Sequence, residues 1–530
     1  MFSHTMMELP LTLTTLHRRM GEVLGHVEVV SRRPDKSFHT TTFGAIAARA
    51  EKLARGLLAM GIARGDRVAT LMWNHAEHLE AYLGIPLAGA VIHTLNLRLH
   101  PDDIAYIAND AADRVLIVDA VLLPLYEKFA DKVRFERVIV VGRDYEAFLD
   151  AAPPLALPAL AESDPLGMCY TSGTTGRPKG VVYSHRSTLL HSLVSALPDS
   201  LRLSRSDTLF PVVPMFHVNA WGLPYTAALV GARLAFPGPH LDPVSLLEVM
   251  ESQHVTIAAG VPTLWLGIRE ALDKEPARWK LHPGLTMIVG GAAAPERLIR
   301  DFDRQGLSLL HAWGMTETSP IGLVSRLPPE LDDAPEALRY QLRAKQGVPP
   351  PLVEIAIRKD GETPPADGRS SGELLVRAPW VAARYSSNNT PDRWSDDGYF
   401  RTGDVAHRDA HGFVQLTDRT ADLIKSGGEW IASQELENAL MGHPAVREAA
   451  VIGLAHPKWS ERPLAVVVKK PDAEVTEAEL RAYLAEKFIK FWLPDVFVFT
   501  DTIPRTSTGK FQKTTLRAQF AGYQWPGTTD

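Results

Sequence analysis

The chain holds a single cysteine, Cys169, in 530 residues. One thiol can form no internal disulfide, which points to a reducing compartment. The residues before it, Leu166-Gly167-Met168, are apolar, so Cys169 reads as a packing group rather than a nucleophile. Basic residues are not in excess: 56 Lys and Arg against 62 Asp and Glu leave a formal charge of −6. The cationic footprint of a nucleic-acid binder is therefore missing. No uninterrupted apolar run approaches the ~18 residues a membrane-spanning helix requires. The N-terminal MFSHTMMELPLTLTTLHRRM lacks the basic-then-apolar order of a signal peptide. These absences predict a cytoplasmic protein and leave peripheral membrane contact open. Neither a fixed-period repeat nor a low-complexity segment occurs.

What is present is ordinary globular composition, 45% hydrophobic and 22% charged. The length exceeds what one hydrophobic core supports, so at least two domains are expected. From about Thr41 to Leu310, apolar strand-like runs alternate with helical patterns. Val255-Thr256-Ile257-Ala258-Ala259 leads into a helix near Pro262. Leu285 to Val289 ends in Gly290-Gly291, and a helix follows with Pro295 in its first turn. That alternation predicts an α/β fold of largely parallel sheets with covering helices. After Gln346, prolines and glycines punctuate short strands such as Glu373 to Val376, the candidate for a β-barrel-like subdomain. The polar Asp418-Arg419-Thr420-Ala421-Asp422 then precedes a smaller α+β block. Its helix opens with the capping box Thr476-Glu477-Ala478-Glu479, and Asp495 to Thr500 reads as a strand. The expected division is a large domain over 1–418, a hinge at 419–422 and a small mobile domain over 423–530.

The strongest chemical signal is Tyr170-Thr171-Ser172-Gly173-Thr174-Thr175-Gly176-Arg177-Pro178-Lys179-Gly180. It follows an apolar strand and precedes Val181-Val182-Tyr183 and an amphipathic helix starting near Ser187. Glycines let backbone N–H groups turn toward an anion, hydroxyls add donors, and Lys179 adds charge: a phosphate cradle, though not a Walker A loop. Gly290-Gly291-Ala292-Ala293 would let a flat base or ribose lie against the backbone. His311-Ala312-Trp313-Gly314-Met315-Thr316-Glu317 offers an aromatic plane and a carboxylate for a divalent metal. Both segments are expected just after strands, where open α/β sheets collect ligands. Asp404, behind Thr402-Gly403, can accept both ribose hydroxyls, and Arg419 suits phosphate or ribose. Lys425-Ser426-Gly427-Gly428-Glu429-Trp430 reads equally as an ordinary hairpin turn. Lys510 sits on a glycine-flexed loop, where a lone lysine is normally just solvated.

Taken together and in this order, these segments resemble the adenylate-forming superfamily of acyl-CoA synthetases, adenylation domains and beetle luciferases, over about residues 40 to 520. Pro214-Met215-Phe216-His217-Val218-Asn219-Ala220-Trp221 and Ser426-Gly427-Gly428-Glu429-Trp430 are similar to bacterial medium- and long-chain fatty acyl-CoA synthetases, and equally to methylmercaptopropionate-CoA ligases. The resemblance implies ATP and CoA as co-substrates and Mg²⁺ near Thr171 and Glu317. It implies that Thr171, Ser172, Gly173, Thr174, Thr175, Gly176 and Lys179 hold the phosphates. Gly291, Ala292, His311, Ala312, Trp313, Gly314 and Thr316 would line the adenylate, and Asp404 and Arg419 would grip the ribose. Trp221 would gate an acyl tunnel beside His217, Val218 and Gly291. Lys425 and Trp430 would approach the nucleotide in the closed state, Gly427 and Gly428 would face CoA, and Lys510 would be the adenylation lysine. Many relatives carry Lys or Asp at the hinge where this chain has Ala421. A homodimer is left open.

Other readings compete. Gly368-Arg369-Ser370-Ser371-Gly372 matches the hydrolase Gly-x-Ser-x-Gly pattern, but it follows a polar stretch and leads into a strand, so it reads as a turn. A ligase loading an acyl carrier protein shares the first half-reaction. A non-catalytic fatty-acid binder does not account for so many phosphate-type motifs.

Overall fold

The computed structural model describes residues 5–171, 177–387, 390–420, 422–426, 429–471, 473–505 and 511–525. The alternating patterns fold into two sheets. One runs Arg137–Val141, Asp113–Asp119, Arg67–Leu71, Val91–Thr94, Pro165–Tyr170, Gly180–Ser184, parallel except at its last pair. The other runs Ile321–Val324, Ser308–Gly314, Thr286–Val289, Ile257–Gly260, Thr208–Pro211, Arg233–Phe236, Glu28–Arg32, Phe38–Thr42, parallel in its interior and antiparallel at both edges.

The helix Ala76–Leu87 touches strands of both sheets, and every one of its residues is buried. A helix covered on all sides must be apolar or have its charges paired. Here Glu80 meets Arg49 at 2.6 Å, and Glu77 meets Arg33 at 2.7 Å. Asn74, just before this helix, joins the sheets. Its amide donates to the carbonyls of Pro211 and Val213 at 2.9 and 2.8 Å, and its Oδ1 accepts from Met215 N–H at 2.8 Å.

Three sequence expectations need correction. The alternation begins before Thr41, with the helix Leu13–Glu22 and the hairpin Glu28–Arg32/Phe38–Thr42 on the sheet edge. Phe38–Thr42 is polar and largely exposed, so it carries no apolar alternation to read. The helix after the phosphate cradle, His185–Ala196, is not amphipathic: Ser187, Ser192 and Ser195 are buried with Leu189 and Val194. It packs against the sheet and against the helix Leu223–Val230, and small hydroxyls let the elements approach. Pro295 is the N-cap of Glu296–Arg304, one residue ahead of the first turn.

After Gln346 the strands Glu354–Arg358, Gly372–Arg377, Phe400–Arg408 and Val414–Arg419 form an antiparallel sheet. Bridges at Gly347–Val414 and Val324–Val348 lead from its edge toward the eight-stranded sheet. Among the described residues it does not close into a barrel. Ser370 lies in an exposed turn, its hydroxyl donating to Asp367 at 2.8 Å ahead of a strand rather than a helix, so it is no nucleophile elbow.

From Ile424 onward the chain builds its own five-stranded sheet and forms a separate α+β domain. Along Val446–His456, Ala449 and Val451 enter one hydrophobic cluster while Ala450 and Ile452 enter another, the period-two alternation of a strand covered on both faces. Thr476 caps Glu477–Ala485 through the expected box with Glu479, and Val496–Phe499 is the expected strand.

Candidate active site

Thr171 and Lys179 stand at the facing ends of the antiparallel strands Pro165–Tyr170 and Gly180–Ser184. Thr171 N–H donates to Lys179 O at 2.9 Å, and Lys179 N–H donates to Thr171 Oγ1 at 3.1 Å. This double clasp fixes both ends of the loop. Ser172, Gly173, Thr174, Thr175 and Gly176 lie outside the described residues. The Lys179 ammonium rests 5.0 Å from the ring centroid of Tyr385. Cys169, on the same strand, is 2% exposed and donates to Asn219 Oδ1 at 3.4 Å, which fits its reading as a packing group.

A cavity of about 340 Å³ opens beside this clasp. Thr171, Lys179, Thr316 and Glu317 line it, as do the acyl candidates His217, Val218 and Trp221. A second cavity of about 220 Å³ is lined by Ala292, His311 and Asp404. Gly291, Ala312, Trp313, Gly314 and Arg419 line both. Loops far apart in sequence thus meet where the sequence reading grouped them. His311 to Gly314, however, belong to the strand Ser308–Gly314 itself rather than to a loop after it. The antiparallel strand Ile321–Val324 pairs with Ala312 to Gly314 and prolongs it. The strands cross so closely that a Cβ on Gly314 would stand 1.7 Å from Pro320 O, so only glycine fits.

Asp404 and Arg419 face each other in register on neighbouring strands, with Arg419 Nε 3.3 Å from Asp404 Oδ1. Asp404 is 2% exposed and also accepts from the Trp313 indole N–H at 3.0 Å, which fixes the indole in the wall. Burial pushes His311 down to about 4, and its ring N–H donates to Ala344 O at 3.0 Å. At neutral pH it is an uncharged wall. Glu317 is buried and accepts from the Tyr385 hydroxyl at 2.6 Å. Burial first, and the Glu317 charge second, push the Tyr385 phenol well above its ordinary value, so it stays a donor.

The acyl candidates sit on an unusual turn. Val218, Asn219, Ala220, Trp221 and Gly222 all have φ between 46° and 68°. A left-handed turn of L-residues is strained by about 1–2 kcal/mol per residue. The surroundings hold it: Ala220 N–H donates to His217 O at 3.1 Å, and Asn219 Oδ1 accepts from Tyr82 and Cys169, both at 3.4 Å. The turn lays Trp221 against Gly290, where a Cβ would stand 3.0 Å from the indole.

Lys425 and Trp430 line neither cavity. They belong to the hairpin Ile424–Ser426/Glu429–Ile431 and pair with each other, the ammonium 5.6 Å from the indole centroid. Gly427, Gly428, Ala421 and Lys510 lie outside the described residues. Tyr385 and Arg393, which line the larger cavity, escaped the sequence reading because they sit in an irregular stretch without a recognisable pattern. Among the described residues, no group of three or more His, Cys, Asp or Glu is arranged to hold a metal ion. Glu317 with the Thr171 hydroxyl is a sparse, hard-oxygen set. It fits an ion such as Mg²⁺ that takes one or two protein oxygens and completes its shell with phosphate and water.

The structure thus brings the Thr171–Lys179 clasp, the Asp404–Arg419 pair and the Trp313 wall around two cavities that share lining residues. Residues 19–386 match the AMP-binding enzyme family and residues 435–510 match the AMP-binding enzyme C-terminal domain. The chain belongs to the AMP-binding enzyme family. It is 46% identical to a long-chain-fatty-acid–CoA ligase of Thermus thermophilus, over 98% of each chain. It is 43% identical to a 3-methylmercaptopropionyl-CoA ligase of Ruegeria pomeroyi, over 97% of this chain and 98% of that one. An anthranilate CoA ligase solved with anthranoyl-AMP superposes with a TM-score of 0.85 at 26% identity, covering 97% and 98% of the two chains. ATP-bound MatB from Rhodopseudomonas palustris gives 0.82 at 26% identity, covering 97% and 99%.

Proposed function

We infer that this enzyme activates a medium- or long-chain fatty acid and transfers it to coenzyme A. Its class is that of the adenylate-forming acid–thiol ligases: ATP is the co-substrate, and the products are an acyl-CoA, AMP and pyrophosphate. The supporting observation is one cavity whose walls combine cationic groups, Lys179 and Arg419, with the apolar Val218, Trp221, Leu264 and Ile288. An acid with an apolar tail and a nucleotide suit those two kinds of wall.

A carboxylate is a poor acyl donor because oxide would have to leave. Attack of a carboxylate oxygen on the α-phosphorus breaks the bond to the β-phosphate oxygen, and pyrophosphate departs with the electron pair. AMP is then a good leaving group for a thiolate. The first step brings two anions together, so positioning and neutralisation dominate it. Lys179 and Lys510 supply positive charge, Asp404 and Arg419 orient the ribose, and Trp313 and His311 wall the base. Mg²⁺, held by Glu317 and Thr171, would supply further neutralisation of the phosphates. Residues 1–418 and 423–530 would act as two domains about the hinge at 419–422.

The test is a carboxylic-acid panel scored for pyrophosphate and CoA thioester. Each buried methylene contributes ~0.8 kcal/mol, so kcat/KM should rise roughly fourfold per carbon from short acids toward about C6–C12. Trp221→Ala should shift that length preference. The Ruegeria relative favours a second reading, a short thioether acid, for which 3-methylmercaptopropionate would outperform every fatty acid. Product formed with an acyl carrier protein but not with free CoA would instead support the carrier-protein reading.

A further inference from the structure

Arg393 ends a short turn, Pro391–Arg393, ahead of the strand Phe400–Arg408, and it lines the larger cavity. Its Nη2 donates to Thr402 O at 3.3 Å, and its guanidinium lies 5.1 Å from the Phe400 ring centroid. Its Nε is buried with no hydrogen-bond partner, and the side chain makes no ion pair among the described residues. A guanidinium carries five N–H donors in a fixed fork. A buried donor left unpaired is unfavourable unless a ligand takes it.

The neighbours indicate which ligand. Tyr385 is common to three groups: it donates to Glu317, carries Lys179 over its ring, and feels the Arg393 charge. Arg393 therefore shares surroundings with the phosphate clasp and Glu317. Asp404 and His311 line the second cavity, which Arg393 does not. The fork geometry matches phosphate oxygens better than a point charge does. We propose that Arg393 binds the terminal phosphates of ATP, the part that departs as pyrophosphate, and stabilises the charge that collects on the leaving oxygen during adenylation.

The inference rests on ATP being the substrate, so wild-type ATP binding is measured first by calorimetry; no binding would overturn the functional reading itself. Arg393→Met and Arg393→Lys are then titrated with ATP and with AMP. They are also assayed for pyrophosphate exchange and for CoA transfer from synthetic acyl-AMP. Arg393→Met should weaken ATP about tenfold and exchange about a hundredfold, while AMP affinity and CoA transfer stay within about twofold. Arg393→Lys, which keeps the charge without the fork, should fall between. If Arg393 only pins the turn through Thr402 and Phe400, ATP and AMP affinities fall together in both variants, and the proposal is wrong. Unchanged ATP affinity in both variants also overturns it.

Discussion

At the scale of single residues, Glu317 carries the sharpest expectation. Its carboxylate is buried and already accepts one strong hydrogen bond from Tyr385. Glu317→Gln keeps the shape and removes the charge, and losing a charge-stabilising group of this kind typically costs about 10²–10³ in rate. Pyrophosphate exchange should fall by that order, and more Mg²⁺ should be needed for half-maximal rate. A wild-type Mg²⁺ requirement in the variant would remove Glu317 from any metal role. Tyr385→Phe should be milder, roughly ten- to a hundredfold, because it deletes one charge-assisted hydrogen bond of ~1.5–3 kcal/mol. The sequence could flag Glu317, which stands in a recognisable segment. It could not flag Tyr385 or Arg393, whose importance lies in what folds against them.

At the scale of elements, the left-handed turn at Val218 to Gly222 is the feature to test. Ala220 is fully buried with φ at 48°. Ala220→Gly removes a steric penalty of about 1 kcal/mol and also a buried methyl worth ~0.8 kcal/mol. The two nearly cancel, so the thermal midpoint should stay within a degree or two. The turn that presents Trp221 loses its rigidity, and the acyl-length profile should flatten. A profile unchanged from wild type would show that the neighbours, not the backbone, set the position of Trp221. Val-Asn-Ala-Trp does not announce such a turn, since only Asn219 and the glycine that follows tolerate positive φ readily, while Val218, Ala220 and Trp221 do not. The strand before Thr171 and the apolar run after Lys179 were more legible, because an apolar run on each side of a glycine-rich segment leaves few alternatives.

At the scale of the molecule, the small domain meets the large one through the buried Asp418, whose Oδ2 accepts from Ser433 N–H and Oγ at 2.5 and 2.7 Å. Arg517 of the small domain meets Asp422 of the hinge at 2.6 Å, and within the small domain Lys513 meets Glu437 at 2.8 Å. Burial, and then the nearby Asp418, push Glu435 up from 4.5 to about 7. The folded state therefore holds an extra proton between those values, and stability declines as pH rises through that window. Glu435→Gln should flatten the decline and raise stability above pH 7 by about 1–3 kcal/mol, read as the thermal midpoint against pH. A parallel pH profile would mean that Glu435 ionises freely. If the small domain also alternates, Lys510→Ala should lose pyrophosphate exchange but keep CoA transfer from acyl-AMP. A bulky residue at Gly428 should do the reverse. Loss of both half-reactions in both variants would rule alternation out.

The sequence by itself determined the α/β class, the strands on either side of the glycine-rich segment at 171–179, the order of the segments that meet around the cavities and the turn nature of the Ser370 pattern. Each rests on local chemistry, such as glycine and hydroxyl spacing or apolar periodicity, which a few neighbouring residues decide. Only the tertiary structure decided that Trp313 is fixed by Asp404 from 91 residues away, and that Asn74 ties the two sheets together. Only packing could impose a left-handed turn on Val218 to Trp221, or extend the strand through His311 to Gly314 by supplying an antiparallel partner. Contacts between distant segments depend on which faces are buried together, and hydrogen bonds and strain at those contacts are settled after the chain has closed on itself.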